Sequence, residues 1–188
     1  MSQNQMDHQL DDATVLLSPD QFQQVYVAWK EELQKVLNPD EAWALVGIKR
    51  RGSLLARRLW EEFKKSIPAL EFGEVDISLY RDDYHLQLSQ PRVLGTEIEF
   101  EVDGCRILLI DDVLYTGRTV RAALNLILDF GRPMSVLLAV FMDRGHRELP
   151  ITANFVGKEI RTDPDDRVKV QLSEVDGQDR VLLLKKGA

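Results

Sequence analysis

The sequence predicts an α/β fold, a mostly parallel sheet flanked by helices, and three observations carry that reading. Three short, almost wholly apolar runs, AWALVGI (42–48), RILLI (106–110) and SVLLAVFMD (135–143), have the composition of strands covered on both faces. Two of them are followed by stretches with a helical apolar stripe, GSLLARRLWEEFKKSI (52–67) and TVRAALNLILDFG (119–131), so strand and helix alternate as in a parallel sheet. Where the second strand passes into its helix the chain reads DDVLYTGRT (111–119), two carboxylates followed by small polar residues, a glycine and an arginine.

The elements follow in order. Residues 1–14 are polar and acidic, with neither the basic start nor the apolar core of a signal peptide, and are read as a disordered tail before a single domain over 15–188. Ser18, Pro19 and Gln21 mark a helix start, and Phe22, Tyr26, Trp29, Leu33 and Val36 recur at helical spacing as far as Asn38-Pro39. After the first strand and its helix, FGEVDISLY (72–80) and EIEFEV (97–102) alternate apolar and polar residues, as strands with one open face do, and a long polar loop separates them. The helix over 119–131 closes at Gly131 and Pro133. Beyond the third buried strand, NFVG, VKVQL and VLLLKK read as short strands joined by turns such as VDGQD.

Composition bounds the function. Hydrophobic residues at 44% and charged residues at 29% describe a soluble globular chain, and no run reaches the roughly 20 apolar residues that cross a bilayer. The single cysteine, Cys105, excludes an internal disulfide and fits a cytoplasmic protein. A net charge of −7 excludes a molecule coated in positive charge for nucleic acid, while leaving room for a basic patch on one face.

In an open α/β sheet, ligands bind beyond the carboxyl ends of the strands. Backbone N–H groups of Tyr115, Thr116, Gly117, Arg118 and Thr119, with the positive end of the following helix, make a phosphate pocket there. Asp111 and Asp112 repel phosphate but suit a ribose diol, a magnesium ion or a developing cation, so the turn as a whole suits a phosphorylated sugar. A bare DD pair is also an ordinary turn and cap; TGRT after it favours the ligand reading. A Walker-type hydrolase is rejected, because GIKRRGS has Ser53 and Leu54 where Lys and Ser or Thr belong. Lys49, Arg50, Arg51 and Gly52 follow the first buried strand and form a second anion site, in which three cations are costly unless an anion arrives.

ILLIDDVLYTGRT (107–119) resembles the phosphoribosyl pyrophosphate (PRPP) signature of type I phosphoribosyltransferases. LVGIKRRG, GEVDISLYRDD, DFGRP, DRGHRELPI and VQLSEVDGQD resemble successive segments of one subfamily, the PyrR family of pyrimidine-operon attenuation regulators and uracil phosphoribosyltransferases. The resemblance implies the type I phosphoribosyltransferase fold with a small hood, a homo-oligomer, and the conversion of uracil and PRPP to UMP and pyrophosphate. It assigns Asp111 and Asp112 to the ribose hydroxyls and the sugar cation, and residues 115–119 to the 5′-phosphate. Lys49, Arg50, Arg51 and Gly52 fall to the pyrophosphate, Arg81 to a catalytic loop that closes over substrate, and Met142, Asp143, Val156 and Gly157 to the border of the uracil. Magnesium is expected to be bound through the substrate, with no dedicated protein metal site.

The family's second activity is uridine-nucleotide-dependent (UMP or UTP) binding of the pyrimidine operon's leader mRNA, and Arg144, His146, Arg147 and Lys158 stand at matching positions. The first helix departs from the pattern, offering Gln23, Gln24, Val27, Ala28 and Glu31 where basic and hydroxyl residues are expected; Arg50 and Arg161 depart as well. Two readings therefore stay open, a uracil phosphoribosyltransferase with or without regulation and an RNA-binding attenuator with residual catalysis. A type I enzyme acting on a purine or orotate is a third, disfavoured by DRGHRELP.

Overall fold

A computed structural model describes residues 13–77 and 95–185. The chain runs β1 (Thr14–Leu17), α1 (Pro19–Gln34), β2 (Trp43–Ile48), α2 (Arg51–Phe63), β3 (Glu71–Val75), β4 (Glu97–Ile98), β5 (Arg106–Leu114), α3 (Arg118–Phe130), β6 (Ser135–Asp143), β7 (Phe155–Glu159), β8 (Arg167–Gln171), α4 (Ser173–Asp176) and β9 (Arg180–Leu184). Six strands form the central sheet in the order β4-β3-β2-β5-β6-β7, parallel throughout except for β4 against β3. A second, antiparallel sheet in the order β1-β9-β8 forms the hood.

The three apolar runs are β2, β5 and β6, the central strands. Their alternate residues enter two separate cores: Leu45, Leu108, Ile110, Ala139 and Phe141 pack under α1 and α2, while Ala44, Val46, Ile107, Leu109, Leu138 and Val140 pack under α3. Phe141 takes Phe22 and Trp29 of α1 at ring-centroid distances of 4.5 and 5.6 Å, which fixes that helix on the sheet. β5 runs further than RILLI implied and carries the diacid inside the strand. Ile110 and Val113 both pack toward α1 and α2, so strict alternation is lost across Asp111 and Asp112.

The α1 start forms the capping box that Ser18 and Gln21 predict, with Gln21 N–H donating to Ser18 Oγ at 3.3 Å and Ser18 N–H to Gln21 Oε1 at 3.0 Å. Ser18→Ala is expected to lower unfolding free energy by about 1 kcal/mol in a denaturant titration, without affecting ligand binding. The expected strand over 97–102 shortens to Glu97–Ile98, because Phe100 and Val102 turn into the α3-side core. The far end of the expected strand over 72–80, the polar loop after it and Arg81 lie outside the described residues. Among the described residues no helix is long and apolar enough to cross a membrane.

Candidate active site

The carboxyl ends of β2, β5 and β6 lie side by side, with Val46 opposite Leu109 and Asp111 opposite Val140, so the loops that leave these three strands share one edge. Asp111 is buried, and its Oδ1 accepts the Asp112 N–H at 2.9 Å. Asp112 as a whole residue is less enclosed than Asp111. Burial pushes the Asp112 carboxyl above the ordinary value, opposed by its hydrogen bond with Asp111 and by the charge of Arg51.

Gly52 explains how the first loop approaches the diacid. A Cβ there would lie 2.7 Å from Ile110 O and 2.9 Å from Asp111 Cα, so only glycine lets α2 begin against β5. The peptide bond between Lys49 and Arg50 is cis, and Arg50, exposed, accepts the Ser53 hydroxyl on its carbonyl at 2.8 Å. The expectation that three cations here need an arriving anion is corrected. Lys49 Nζ lies 3.5 Å from Glu74 and 3.4 Å from Glu97, and Arg51 Nη2 donates to Asp176 at 3.0 Å, so two of the three are already compensated.

After β5 the chain passes through Gly117, at φ +89°, into the first turn of α3, whose N–H groups open toward an anion. A side chain there would be strained and would press on Leu149 and Ile151 at 3.3–3.4 Å. Thr116 O accepts the N–H groups of Glu148 and Leu149, each at 3.0 Å, so the DRGHRELP segment braces the cradle. Thr119 is partly buried in the opening turn. The Arg118 side chain turns outward to Glu148 at 2.7 Å, and its backbone N–H donates to Thr116 Oγ1 at 3.3 Å. Tyr115 donates its hydroxyl to Pro164 O at 2.9 Å and lies under the Arg144 guanidinium at 4.0 Å.

The four residues expected to border a base lie on two paired strands, Met142 and Asp143 at the end of β6 and Val156 and Gly157 on β7. Asp143 ends β6, its carboxylate paired with Arg147 and accepting the Gly145 N–H at 2.9 Å. The Met142 side chain is enclosed in the core, Val156 packs into the α3-side core, and Gly157 lies against Phe141 and Val25. Met142 is fully enclosed while Val156 and Gly157 are half-buried, so what these three offer a base is chiefly backbone.

The expected RNA surface is corrected in part. Arg144 is 4% exposed and spends its guanidinium on Thr162 Oγ1 (3.2 Å), Asp166 O (2.6 Å), Asp163 O (2.8 Å) and Pro164 O (3.3 Å). Arg147 reaches Tyr115 O at 2.8 Å, Gly145 O and Ile151 O at 3.0 Å, and the Asp143 carboxylate. Both arginines are internal braces, which charge in a sequence does not reveal. His146, at φ +56°, is exposed with Nε2 2.7 Å from Thr162 O, and Lys158 is exposed on the edge strand β7. The outer face of α1 presents Gln23, Gln24, Ala28 and Glu31, as its sequence predicts.

Sequence patterning does not reveal the acidic partners, Glu74, Glu97 and Asp176, or β1, whose four residues pair with β9 from the far end of the chain.

A family model of the phosphoribosyl transferase domain matches residues 23–176. Solved structures share the fold: a hypoxanthine phosphoribosyltransferase from Staphylococcus aureus aligns over 92% of both chains with a TM-score of 0.65 at 22% identity. HGPRT-ase from Leishmania tarentolae in complex with GMP aligns over 93% of this chain and 97% of its own, with a TM-score of 0.65 at 13% identity. A parallel sheet that turns through a left-handed glycine from paired carboxylates into a helix is thus the type I phosphoribosyltransferase fold. Curated relatives narrow the class. The chain is 51% identical over 148 residues to the bifunctional protein PyrR of Elusimicrobium minutum (strain Pei191), covering 78% of this chain and 83% of the relative. It is 50% identical over 145 residues to that of Bacillus mycoides (strain KBAB4), covering 76% and 81%. The chain belongs to the PyrR family.

Proposed function

We propose that this protein is a cytoplasmic, homo-oligomeric uracil phosphoribosyltransferase that joins uracil to PRPP, giving UMP and pyrophosphate. The observation that carries the reading is the continuous edge on which Asp112, the Gly117 turn and the Gly52 loop stand together, in a chain of the PyrR family.

Displacement of pyrophosphate builds positive charge on the sugar and negative charge on the leaving group. Asp111 and Asp112 hold the ribose hydroxyls and face the cation, the opening turn of α3 holds the 5′-phosphate, and Lys49, Arg51 and the backbone at Arg50–Gly52 receive the pyrophosphate. The carboxylates of Asp111 and Asp112 are hard oxygen donors of the kind magnesium takes. That donor set suits a magnesium ion carried in on PRPP, which when bound would neutralise charge on the pyrophosphate.

The test is product formation from PRPP and magnesium with uracil, hypoxanthine, guanine or orotate. UMP formation from uracil with little product from the other bases is the expected result. Preference for a purine or orotate would overturn the choice of base, and no turnover with any base would leave nucleotide-sensing regulation as the primary role.

The family supports a second activity, UMP- or UTP-dependent binding of pyrimidine leader mRNA that attenuates transcription. Among the described residues Lys158 and His146 are the family-matched groups exposed to solvent. Lys158→Gln is expected to weaken binding to a leader hairpin and to reduce the slope of log K against log salt by about 1, with UMP formation unchanged.

A further inference from the structure

Arg51 opens α2, yet its partner belongs to the hood. Its Nη2 donates to both carboxylate oxygens of Asp176, at 3.0 and 3.1 Å. Asp176 ends α4, its side chain is 10% exposed, and it is itself oriented by the Leu172 N–H at 3.1 Å and by Lys169 Nζ at 3.8 Å. Gly52, the next residue, packs against Asp111, and the charge of Arg51 pulls the Asp112 carboxyl's pKa down against burial. Arg51 Nε is buried and has no hydrogen-bond partner among the described residues. One corner of the guanidinium is therefore committed to the hood while an N–H elsewhere on the same rigid plane is desolvated and unsatisfied, a costly state that an anion beside the diacid would relieve.

We propose that Asp176 is a positioning residue for the pyrophosphate loop: by pinning Arg51 Nη2 to the hood it holds the remaining guanidinium N–H groups beside the diacid, ready for the pyrophosphate of PRPP. The inference rests on the phosphoribosyltransferase reading above. Without the Asp176 charge, Arg51 is free to turn toward Asp112, whose carboxyl already feels its charge. The arginine then folds onto the diacid and must be ordered again each time PRPP binds.

The same turn carries its own control. Arg58, seven residues further along α2, takes Glu174, Asp179 at 2.8 Å and Ser173 Oγ at 3.0 Å. That cluster fastens the turn to α2 about two helical turns away from the loop, so loosening it weakens the hood without releasing Arg51.

The experiment measures KM for PRPP and for uracil, with the rise in melting temperature on adding PRPP, for wild type, Asp176→Asn, Glu174→Gln, Arg51→Gln and the Arg51→Gln/Asp176→Asn double variant. Asparagine keeps an acceptor for Leu172 N–H, so the fold is retained. Asp176→Asn is expected to raise KM for PRPP about tenfold, as loss of a charge-assisted hydrogen bond does, with KM for uracil within about twofold of wild type. Glu174→Gln is expected to lower the melting temperature and leave KM for PRPP unchanged. In the Arg51→Gln background Asp176→Asn is expected to add nothing, because its effect passes through that arginine. An unchanged KM for PRPP in Asp176→Asn, an equal rise in Glu174→Gln, or additivity in the double variant would overturn the inference while leaving the enzyme assignment intact. A wild type that neither forms UMP nor is stabilised by PRPP would overturn both.

Discussion

Asp112→Asn is expected to lower UMP formation by at least about 100-fold while the ligand-free protein melts no lower than wild type. The rate loss follows from charge. The two carboxylates are the acidic groups at the strand end where a sugar cation would develop, and removing one preorganised electrostatic partner of a transition state costs two to three orders of magnitude. Asp111 Oδ1 is already committed to the Asp112 N–H, so the Asp112 carboxylate carries more of that interaction. The stability half follows from the direction of its pKa. Burial raises the folded-state value, so the folded protein disfavours the ionised form relative to the unfolded chain. Below the unfolded value of about 3.9 both states are protonated and the group costs nothing. As pH rises through the raised folded value the cost appears in full, and it persists at neutral pH. Asparagine removes it. Melting curves from pH 4 to pH 8 should show any advantage of the variant growing with pH. A variant that turns over normally would remove Asp112 from the ribose site, and one that melts well below wild type at pH 7 would show that the carboxylate stabilises the fold.

That conflict between stability and function locates what could be read in advance. The central strands were legible because β2, β5 and β6 are buried on both faces, and a strand without a wet face writes itself as an unbroken apolar run. The turn from β5 into α3 was legible because its requirements are local: carboxylates in the last part of a strand, a left-handed glycine, and a helix start after it. The compensation of the cations was not. Arg51 and Asp176 are 125 residues apart, and VDGQD reads as nothing more than a turn until the hood brings it to α2. β1 failed for the same reason, since four residues show no periodicity and its pairing with β9 joins the two ends of the chain. Charge was the least reliable guide. Arg144, His146, Arg147 and Lys158 look alike in sequence, yet the first is buried, the third is spent on backbone carbonyls, and only His146 and Lys158 remain exposed.

Arg144 turns that difference into the second large expected effect: Arg144→Lys should destabilise the protein by about 3 kcal/mol, a fall of roughly 6–12 °C in melting temperature for a domain of this size. The guanidinium is a planar fork, and the site uses its shape. Nη1 meets Asp166 O, Nη2 meets Asp163 O and Pro164 O, Nε meets Thr162 Oγ1, and the plane lies over Tyr115. Lysine supplies a point charge with three donors and no plane. It cannot satisfy that set of acceptors, the carbonyl of the buried Asp166 among them. Tyr115 then loses its cover, and with its hydroxyl on Pro164 O the first residue of the phosphate cradle is tied to the same loop, so the affinity for PRPP should fall together with stability. A surface RNA contact predicts the opposite pattern. Arg144→Lys would then melt like wild type, bind PRPP normally, and differ only in the strength or salt dependence of RNA binding. Thermal unfolding with and without PRPP, set beside a salt titration of RNA binding, separates the two, because the internal brace must move the first pair of measurements before it can move the third.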